Sequence, residues 1–337
     1  MATTRKFLAF HFVQTLIFPA NPVLVVTSIY LTLALAASVV CQLISVDAFS
    51  PSLLIFSAVL IGLLGVPHGG LDHRCGRRWL KPVLGKRWTH LFFISYLAVA
   101  ALVTIAWFTF PRVTVLGFLV LSAWHFGREE NVTRPTLRTI AAGGLIIWAI
   151  AVFRTSEMVT VLSATIGENS TEQAEQIVQA ARLASLLALP AGLFWASTSA
   201  AKANGVAEKL IGLLIPVVTV VLAAVTPIVV SFTVYFCFWH SLLGLRRLKT
   251  THQLGTSELM IAVAPISAVA VSMIVGVHGI ADAGLSLEVF RQSVVLRMLF
   301  VGLASIAVPH ILLHECGPWL AVKTARPVHD LDRKVLA

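Results

Sequence analysis

Two histidines and an aspartate lie in the segment GVPHGGLDH, residues 65–73, where an uncharged apolar run ends and a basic one begins. His68 and Asp72 are four residues apart and would share one face of a helix. The aspartate could bind a metal ion itself or orient an imidazole that binds one. A plainer interpretation is a helix end at which proline and glycine stop the helix and His68 and His73 fill an interface. Because charged groups within apolar segments are rare, the pattern favours a functional site.

Further histidines end other apolar stretches. His310 and His314 in PHILLHE are four residues apart, a spacing that lets two imidazoles on one helix face reach the same ion. His125 in SAWHFGREE is followed one helical turn later by Glu129, and the alternative there is that the glutamates pair with Arg128 or Arg134 at the membrane surface. His240 in YFCFWHSLLGLRR is single and, taken alone, could equally be a hydrogen-bonded core residue. Because all these histidines lie at similar helix ends, we expect them to converge on one metal site.

The candidate metal ligands are therefore six histidines. They are His68, His73, His125, His240, His310 and His314. A site of imidazoles with few carboxylates suits iron, zinc or copper better than magnesium or calcium. Iron with open coordination positions would activate dioxygen, whereas zinc would more commonly activate water. Of the other histidines, only His11 is kept as an outside candidate, because an N-terminal helix could carry it into the bundle.

The chain that positions these residues is strongly apolar. Of its 337 residues, 58% are hydrophobic and 12% are charged, whereas soluble domains carry about 25% charged residues. Apolar stretches long enough to cross a bilayer as helices recur along the sequence. Ten spans are predicted, with eight as the alternative count: 22–45, 51–68, 89–109, 112–127, 136–153, 183–201, 206–225, 227–245, 258–278 and 295–314. The predicted fold is an all-α, polytopic transmembrane helical bundle that forms a single membrane-embedded domain over residues 1–337.

Basic residues are concentrated on one side of this topology. If the N-terminus is cytoplasmic, 20 of the 25 lysines and arginines fall in cytoplasmic connections, as the positive-inside rule requires. Both termini are thus predicted to be cytoplasmic, in the inner (plasma) membrane, with the metal site near the cytoplasmic face. The connection 154–182 is predicted to lie outside the cytoplasm and to contain a short surface helix. Since the basic residues are divided among short loops, membrane lipid is their expected partner and nucleic acid is not.

Four motifs carry a resemblance to a known family. They are Gly65-Val66-Pro67-His68-Gly69-Gly70-Leu71-Asp72-His73, Trp124-His125-Phe126-Gly127 with Glu130, Trp239-His240-Ser241, and Pro309-His310. Together they resemble the Brp/Blh family of integral-membrane beta-carotene 15,15'-dioxygenases. The resemblance implies an Fe(2+) enzyme whose metal is held by histidines and which cleaves the central double bond of beta-carotene, or a related carotenoid, with dioxygen to give retinal. It also implies that Asp72 and Glu130 support the metal ligands.

One position departs from the family pattern. After Trp-His-Ser the pattern usually continues to a second histidine one helical turn later, where this chain has Gly244. His314 could compensate, or the chain could act on another apolar substrate or have lost dioxygenase activity. A transporter or carrier that uses intramembrane histidines is an alternative from another class, although the polar residues crowd toward one face. A lipid hydroxylase or desaturase is a weaker alternative, because the sequence contains no H-x-x-H box.

Overall fold

The computed structural model describes residues 22–130, 137–167, 171–284 and 288–324, and their side chains except at 22, 129–130, 273–295 and 317–324. These ranges are helical and contain no strand. The helices are α1 (Pro22–Leu43), α2 (Pro51–Leu60), α3 (Asp72–Leu84), α4 (Trp88–Thr109), α5 (Pro111–Glu130), α6 (Leu137–Gly143), α7 (Leu145–Phe153), α8 (Thr155–Ile166), α9 (Thr171–Ala201), α10 (Val206–Val225), α11 (Ile228–Tyr235), α12 (Ser241–Thr251), α13 (Thr256–Gly284) and α14 (Glu288–Thr324). Two π-helical turns, Ile61–Gly65 and Phe236–His240, and a 3₁₀ turn, Val66–Gly69, interrupt the series. The predicted all-α fold is confirmed.

Several helices are suited to a membrane. Over the described residues, six are long and apolar enough to cross one, and the bent pair of α7 and α8 would bring the number to seven. Large apolar side chains such as Leu97, Leu102 and Ile105 on α4 are exposed on the outside of the bundle. In water such a surface would be unfavourable, whereas hydrocarbon solvates it. The protein is therefore a helical membrane protein.

The predicted count of ten spans is not reproduced. The predicted spans 51–68 and 89–109 are counted together within the stretch Pro51–Thr109, although a turn at residues 70–71 and the 3₁₀ turn Gly85–Arg87 divide it. The predicted span 112–127 corresponds to α5, which carries Arg112 and Arg128 near its ends and is not among the six. Sequence windows register each apolar run separately, but they do not show where a helix bends instead of ending. The termini lie outside the described residues, so their cytoplasmic orientation stays a prediction.

The predicted outer connection, 154–182, contains a buried helix. α8 meets α7 at an angle of 107°, and its residues Met158, Val161 and Leu162 are buried in the core. Arg154 stabilises the bend because its guanidinium donates hydrogen bonds to the carbonyls of Ala223 (3.2 Å) and Ala224 (2.7 Å) at the end of α10. The second half of the connection belongs to α9, which continues into the sixth predicted span as one helix of 31 residues. The first half of this region thus contributes to the interior, whereas the first turns of α9, residues 171–182, are mostly exposed. Their predicted position outside the cytoplasm stays a prediction.

Buried polar contacts join distant helices. Tyr30 Oη lies 2.8 Å from Thr219 Oγ1 and links α1 to α10. Trp107 Nε1 donates to the carbonyl of Thr165 at 3.1 Å and links α4 to α8. In a membrane, where apolar packing gives little net gain, such bonds are worth about 0.6 kcal/mol each and fix which helices pair. The bond from Trp107 holds the end of α8, which lines the cavity described below.

Candidate metal centre

Four histidines from different parts of the chain meet in the interior. His68 lies on the 3₁₀ turn, His125 on α5, His240 at the end of the second π turn and His310 on α14. The ring centroids of His68 and His240, and of His68 and His310, are 5.0 Å apart. The ring of His125 lies 5.4 Å from that of His240 and 5.2 Å from that of His310. All four residues are between 1% and 9% exposed, so the cluster is buried.

Three of these histidines already meet the distance requirement of a metal site. His68, His125 and His240 each offer a ring nitrogen, and these nitrogens lie within 4.8 Å of one another. Distances of that size suit atoms that share one ion at about 2.0–2.1 Å. His310 is outside this group of three donors, but its ring lies next to those of His68 and His125, with centroids 5.0 and 5.2 Å apart.

Two π-helical turns aim His68 and His240. Each π turn inserts an extra residue, which leaves backbone carbonyls without their usual helical partners and redirects the side chains that follow. At the first turn, the Ser241 hydroxyl donates to the carbonyls of Leu64 and Gly65. His68 Nδ1 donates to the carbonyl of Gly65. Because Nδ1 is engaged there, Nε2 of His68 is the nitrogen that remains for a metal ion.

The close approach of the two π turns requires glycine. A Cβ atom at Gly65 would lie 2.5 Å from Cε1 of Phe236, which belongs to the second π turn. Gly244 on α12 is similar, since a Cβ atom there would lie 3.0 Å from Cβ of His68. The backbone of α12 therefore supports the His68 side chain directly.

A carboxylate fixes the orientation of His310. Nδ1 of His310 donates to both oxygens of Asp72, at 2.8 and 2.9 Å. The same carboxylate accepts hydrogen bonds from Tyr96 Oη at 3.0 Å and from His314 Nε2 at 3.3 Å. Metal-binding histidines commonly donate their second ring nitrogen to a carboxylate, which holds the ring and raises its basicity. The hydrogen bonds of Asp72 hold the ring of His310 in one orientation. Its role at a metal site stays a prediction.

The residues present fit a metal ion. Nε2 of His125 is buried and has no hydrogen-bond partner in the described part of the protein. A buried polar atom of that kind costs free energy unless something binds it. The donors are neutral imidazole nitrogens with one supporting carboxylate, a set that suits iron, zinc or copper.

Two cavities of opposite character meet at this cluster. The first contacts all four histidines and is otherwise apolar, with Phe118, Ile150, Leu162, Phe232 and Phe300 among its lining residues. The second, a polar cavity of about 250 Å³, borders His68, His125 and His310 from the other side. We call it the vestibule; its lining includes Arg78, Arg128, Arg247, His252, His314 and Glu315.

The vestibule reaches the exterior. Arg78 and Arg247 are exposed, and Arg128 pairs with Glu315 at 3.2 Å. Burial and the nearby guanidinium groups of Arg74 and Arg78 lower the pKa of His252. A polar opening thus faces one side of the cluster and an apolar cavity faces the other.

The structure brings together four of the six histidines predicted as ligands: His68, His125, His240 and His310. His314 lies beside Asp72 and forms a second group of three donors with Asp72 and His310. His73 is in neither group; its side chain lines a separate basic groove with Arg74, Arg77 and Lys81. The helix turns between His68 and His73, so the two residues face different surroundings. The side chain of Glu130 lies outside the described part of the protein.

The sequence analysis missed Tyr96 and the supporting role of Ser241. Tyr96 is a lone tyrosine in the apolar stretch LFFISYLAVA, and its hydroxyl reaches Asp72 and the carbonyl of Ile306. A buried tyrosine normally satisfies its hydroxyl, and this was the signal available. Ser241 carried no such signal, because its partners are the carbonyls that the π turn exposes.

Fold and site together define a membrane-embedded helical protein with a buried, histidine-rich candidate metal centre backed by a carboxylate. Residues 59–316 match the family profile described as Beta-carotene 15,15'-dioxygenase. The chain belongs to that family. It is 28% identical over 263 residues to a Beta-carotene 15,15'-dioxygenase from an uncultured marine bacterium, 66A03, and the alignment covers 75% of this chain and 90% of the relative. No solved structure matches the chain.

Proposed function

We propose that the protein cleaves the central double bond of beta-carotene, or of a related carotenoid, with dioxygen. One carbon–carbon double bond and one dioxygen molecule become two aldehyde groups, so that beta-carotene gives two molecules of retinal. The observation that carries the proposal is the cluster of His68, His125, His240 and His310 at one end of an apolar cavity inside a helical membrane protein. Membership of the family and the name of the relative support the same reaction.

The four histidines would hold Fe(2+), and the supporting residues would keep them in place. A ferrous ion with open coordination positions supplies binding and activation of dioxygen. Asp72 keeps Nε2 of His310 directed at the other rings by holding Nδ1. Ser241 and the carbonyl of Gly65 fix the ring of His68. Such preorganisation holds the ligands without further rearrangement when the ion binds.

The apolar cavity fits a polyene. Its walls come from α5, α8, α11 and α14, and the lining is almost entirely hydrocarbon apart from the histidines. A carotenoid dissolves in the bilayer, and a cavity between membrane helices accepts an apolar ligand without exposing it to water. We place the protein in the inner (plasma) membrane with the metal site near the cytoplasmic face, because the positively charged connections lie on that side.

Gly244 stands where the family pattern has a second histidine, and it lines the vestibule and not the apolar cavity. Four imidazoles come together without a histidine at this position, and the glycine packs directly on His68. Because this departure separates the chain from the family pattern, a divergent member that acts on another apolar substrate is the second candidate function. This candidate is favoured if the carotenoid stays intact in the expressing cells while the protein purified from those cells still binds iron.

The test is expression in bacteria that accumulate beta-carotene, with and without added iron, followed by extraction of pigments and assay for retinal. We expect bleaching and retinal with the natural sequence, and loss of both in His68→Ala and His240→Ala. His73→Ala is the matched control: it removes an imidazole from the same motif but from a different groove, and it should retain activity. Retention of activity in His68→Ala, or its loss in His73→Ala alone, would contradict the proposed ligand set.

A further inference from the structure

A second group of metal-binding side chains lies beside the four-histidine cluster. Asp72, His310 and His314 offer one donor atom each, and these atoms lie within 4.8 Å of one another. The side chain of Asp72 is 5% exposed and that of His314 is 29% exposed. His314 lines the vestibule but not the apolar cavity. The group thus extends from the buried centre to the polar opening.

His310 can serve either set of donors: Nε2 is available to the cluster when Nδ1 carries the proton, and Nδ1 is available to the second group when the proton is on Nε2. Its Nδ1 contacts Asp72, while its ring lies 5.0 Å from that of His68 and 4.5 Å from that of His314. An ion held by Asp72 and His314 would therefore be one imidazole away from the four-histidine cluster. Metal-binding side chains are therefore present from the vestibule to the four-histidine cluster.

We propose that Asp72, His310 and His314 form a transfer site through which a divalent metal ion passes from the vestibule to the four-histidine centre. The inference rests on the proposed metal centre but not on the identity of the organic substrate. A hydrated cation cannot cross the apolar cavity cheaply, because stripping its water without replacement ligands costs several kcal/mol or more. A carboxylate and an imidazole replace those waters in steps and remove that barrier.

Charged side chains at the opening of the vestibule affect how fast a cation enters it. Arg78 and Arg247 are exposed at the vestibule and repel a cation, whereas Arg128 is paired with Glu315. Exposed charges are screened over a Debye length of about 8 Å at physiological salt. The repulsion should therefore slow loading at low ionic strength and matter little at high ionic strength. Arg247→Gln is expected to load faster than the natural sequence at low salt only.

The experiment measures metal loading directly. Purified full-length protein is stripped of metal in detergent and mixed with Co(2+), and the visible absorption of bound cobalt is followed in a stopped-flow instrument. Release into excess chelator gives the reverse rate. The variants are His314→Ala and His314→Phe, the second of which keeps a ring against Trp79 and His310. His252→Ala is the control, since it removes another imidazole of the vestibule that is outside the transfer group.

A transfer site predicts a specific kinetic pattern. Both His314 variants should load and release cobalt more slowly by the same factor, about tenfold or more, while the final stoichiometry and Kd stay unchanged. His252→Ala should load at the natural rate. Unchanged loading in both His314 variants would overturn the proposal.

Faster release with a raised Kd would also overturn it, because His314 would then be a ligand of the centre itself. If the natural protein loads cobalt through His314 but makes no retinal, the proposed reaction fails while the transfer site stands. If the natural protein binds no cobalt, the metal centre and the transfer site fail together.

Discussion

At the scale of single residues, Asp72 connects the two groups of candidate ligands. Its carboxylate accepts hydrogen bonds from His310, His314 and Tyr96. A buried carboxylate with three donors is held firmly, and it in turn fixes the rings that donate to it. The oxygen atoms of Asp72 contact Nδ1 of His310 at 2.8 and 2.9 Å, which leaves Nε2 for the other three imidazoles. Asp72 therefore acts on the centre through His310.

Replacing Asp72 tests this positioning role. In Asp72→Asn the amide keeps the size of the side chain but loses the charge and one acceptor, so His310 is held less firmly. We expect the Co(2+) affinity to fall by about 10- to 100-fold, the range found when such supporting carboxylates are changed, measured by titration against a competing chelator. Tyr96→Phe is the control, since it leaves the Asp72–His310 contact intact and should change affinity far less. Natural affinity in Asp72→Asn would show that His310 needs no carboxylate.

The sequence could indicate which residue types form the site, but it could not separate neighbours within a motif. His125, His240 and His310 stand out as polar residues at the ends of apolar runs. Such residues cost free energy in a membrane and are usually present only where they have a function. His68 and His73 looked equivalent in GVPHGGLDH. The 3₁₀ turn, Val66–Gly69, directs His68 inward, whereas His73 lies on α3 toward the basic groove. A local change of helix type decides the difference, and spacing alone does not reveal it.

At the scale of elements, the paired π turns explain why His68 and His240 can meet. Each turn widens its helix near a histidine, and Ser241 after the second turn satisfies carbonyls exposed by the first. The phenyl ring of Phe236 occupies the space that a side chain at position 65 would need. The two turns thus act as one unit that depends on a glycine.

Gly65→Ala tests that unit. The added methyl group would overlap the ring of Phe236 at 2.5 Å, and overpacking of a core typically costs about 1–3 kcal/mol. We expect a lower Tm in detergent and weaker metal binding. Phe236→Leu shortens the opposing side chain, so adding it to Gly65→Ala should partly restore the Tm and the metal binding.

Gly117→Ala is the matched control on α5, where a Cβ atom meets nothing within 4 Å. Its Tm should be unchanged or slightly higher, because alanine favours helix over glycine. An equal loss of stability at Gly65 and Gly117 would mean that helix propensity, and not the contact with Phe236, controls the effect.

At the scale of the whole molecule, composition was enough to predict an all-helical membrane protein but not its topology. Hydrophobic runs locate apolar helices, and every predicted span falls on helix over the described residues. They do not predict the 107° bend between α7 and α8, because charged residues such as Arg154 and Glu157 are typical of a surface connection. In the structure Arg154 bonds the end of α10, and Glu157 Oε2 accepts the backbone N–H of Ile228 at 2.6 Å. Partners far away in sequence thus bury α8, the first helix of the predicted outer connection.

The buried position of α8 leads to a prediction about the substrate cavity. Val161 lines the apolar cavity, whereas Thr160, the preceding residue, is exposed. Val161→Phe should narrow the cavity and displace the carotenoid from the metal centre, so that retinal formed in carotene-accumulating cells falls about tenfold or more. Iron content and Co(2+) affinity should stay unchanged, because α8 contributes no ligand. Thr160→Phe adds the same ring on the opposite face and should leave retinal formation near the natural level. Equal retinal from both variants would show that α8 does not border the substrate, and the carotenoid would then have to approach the histidines from another side of the bundle.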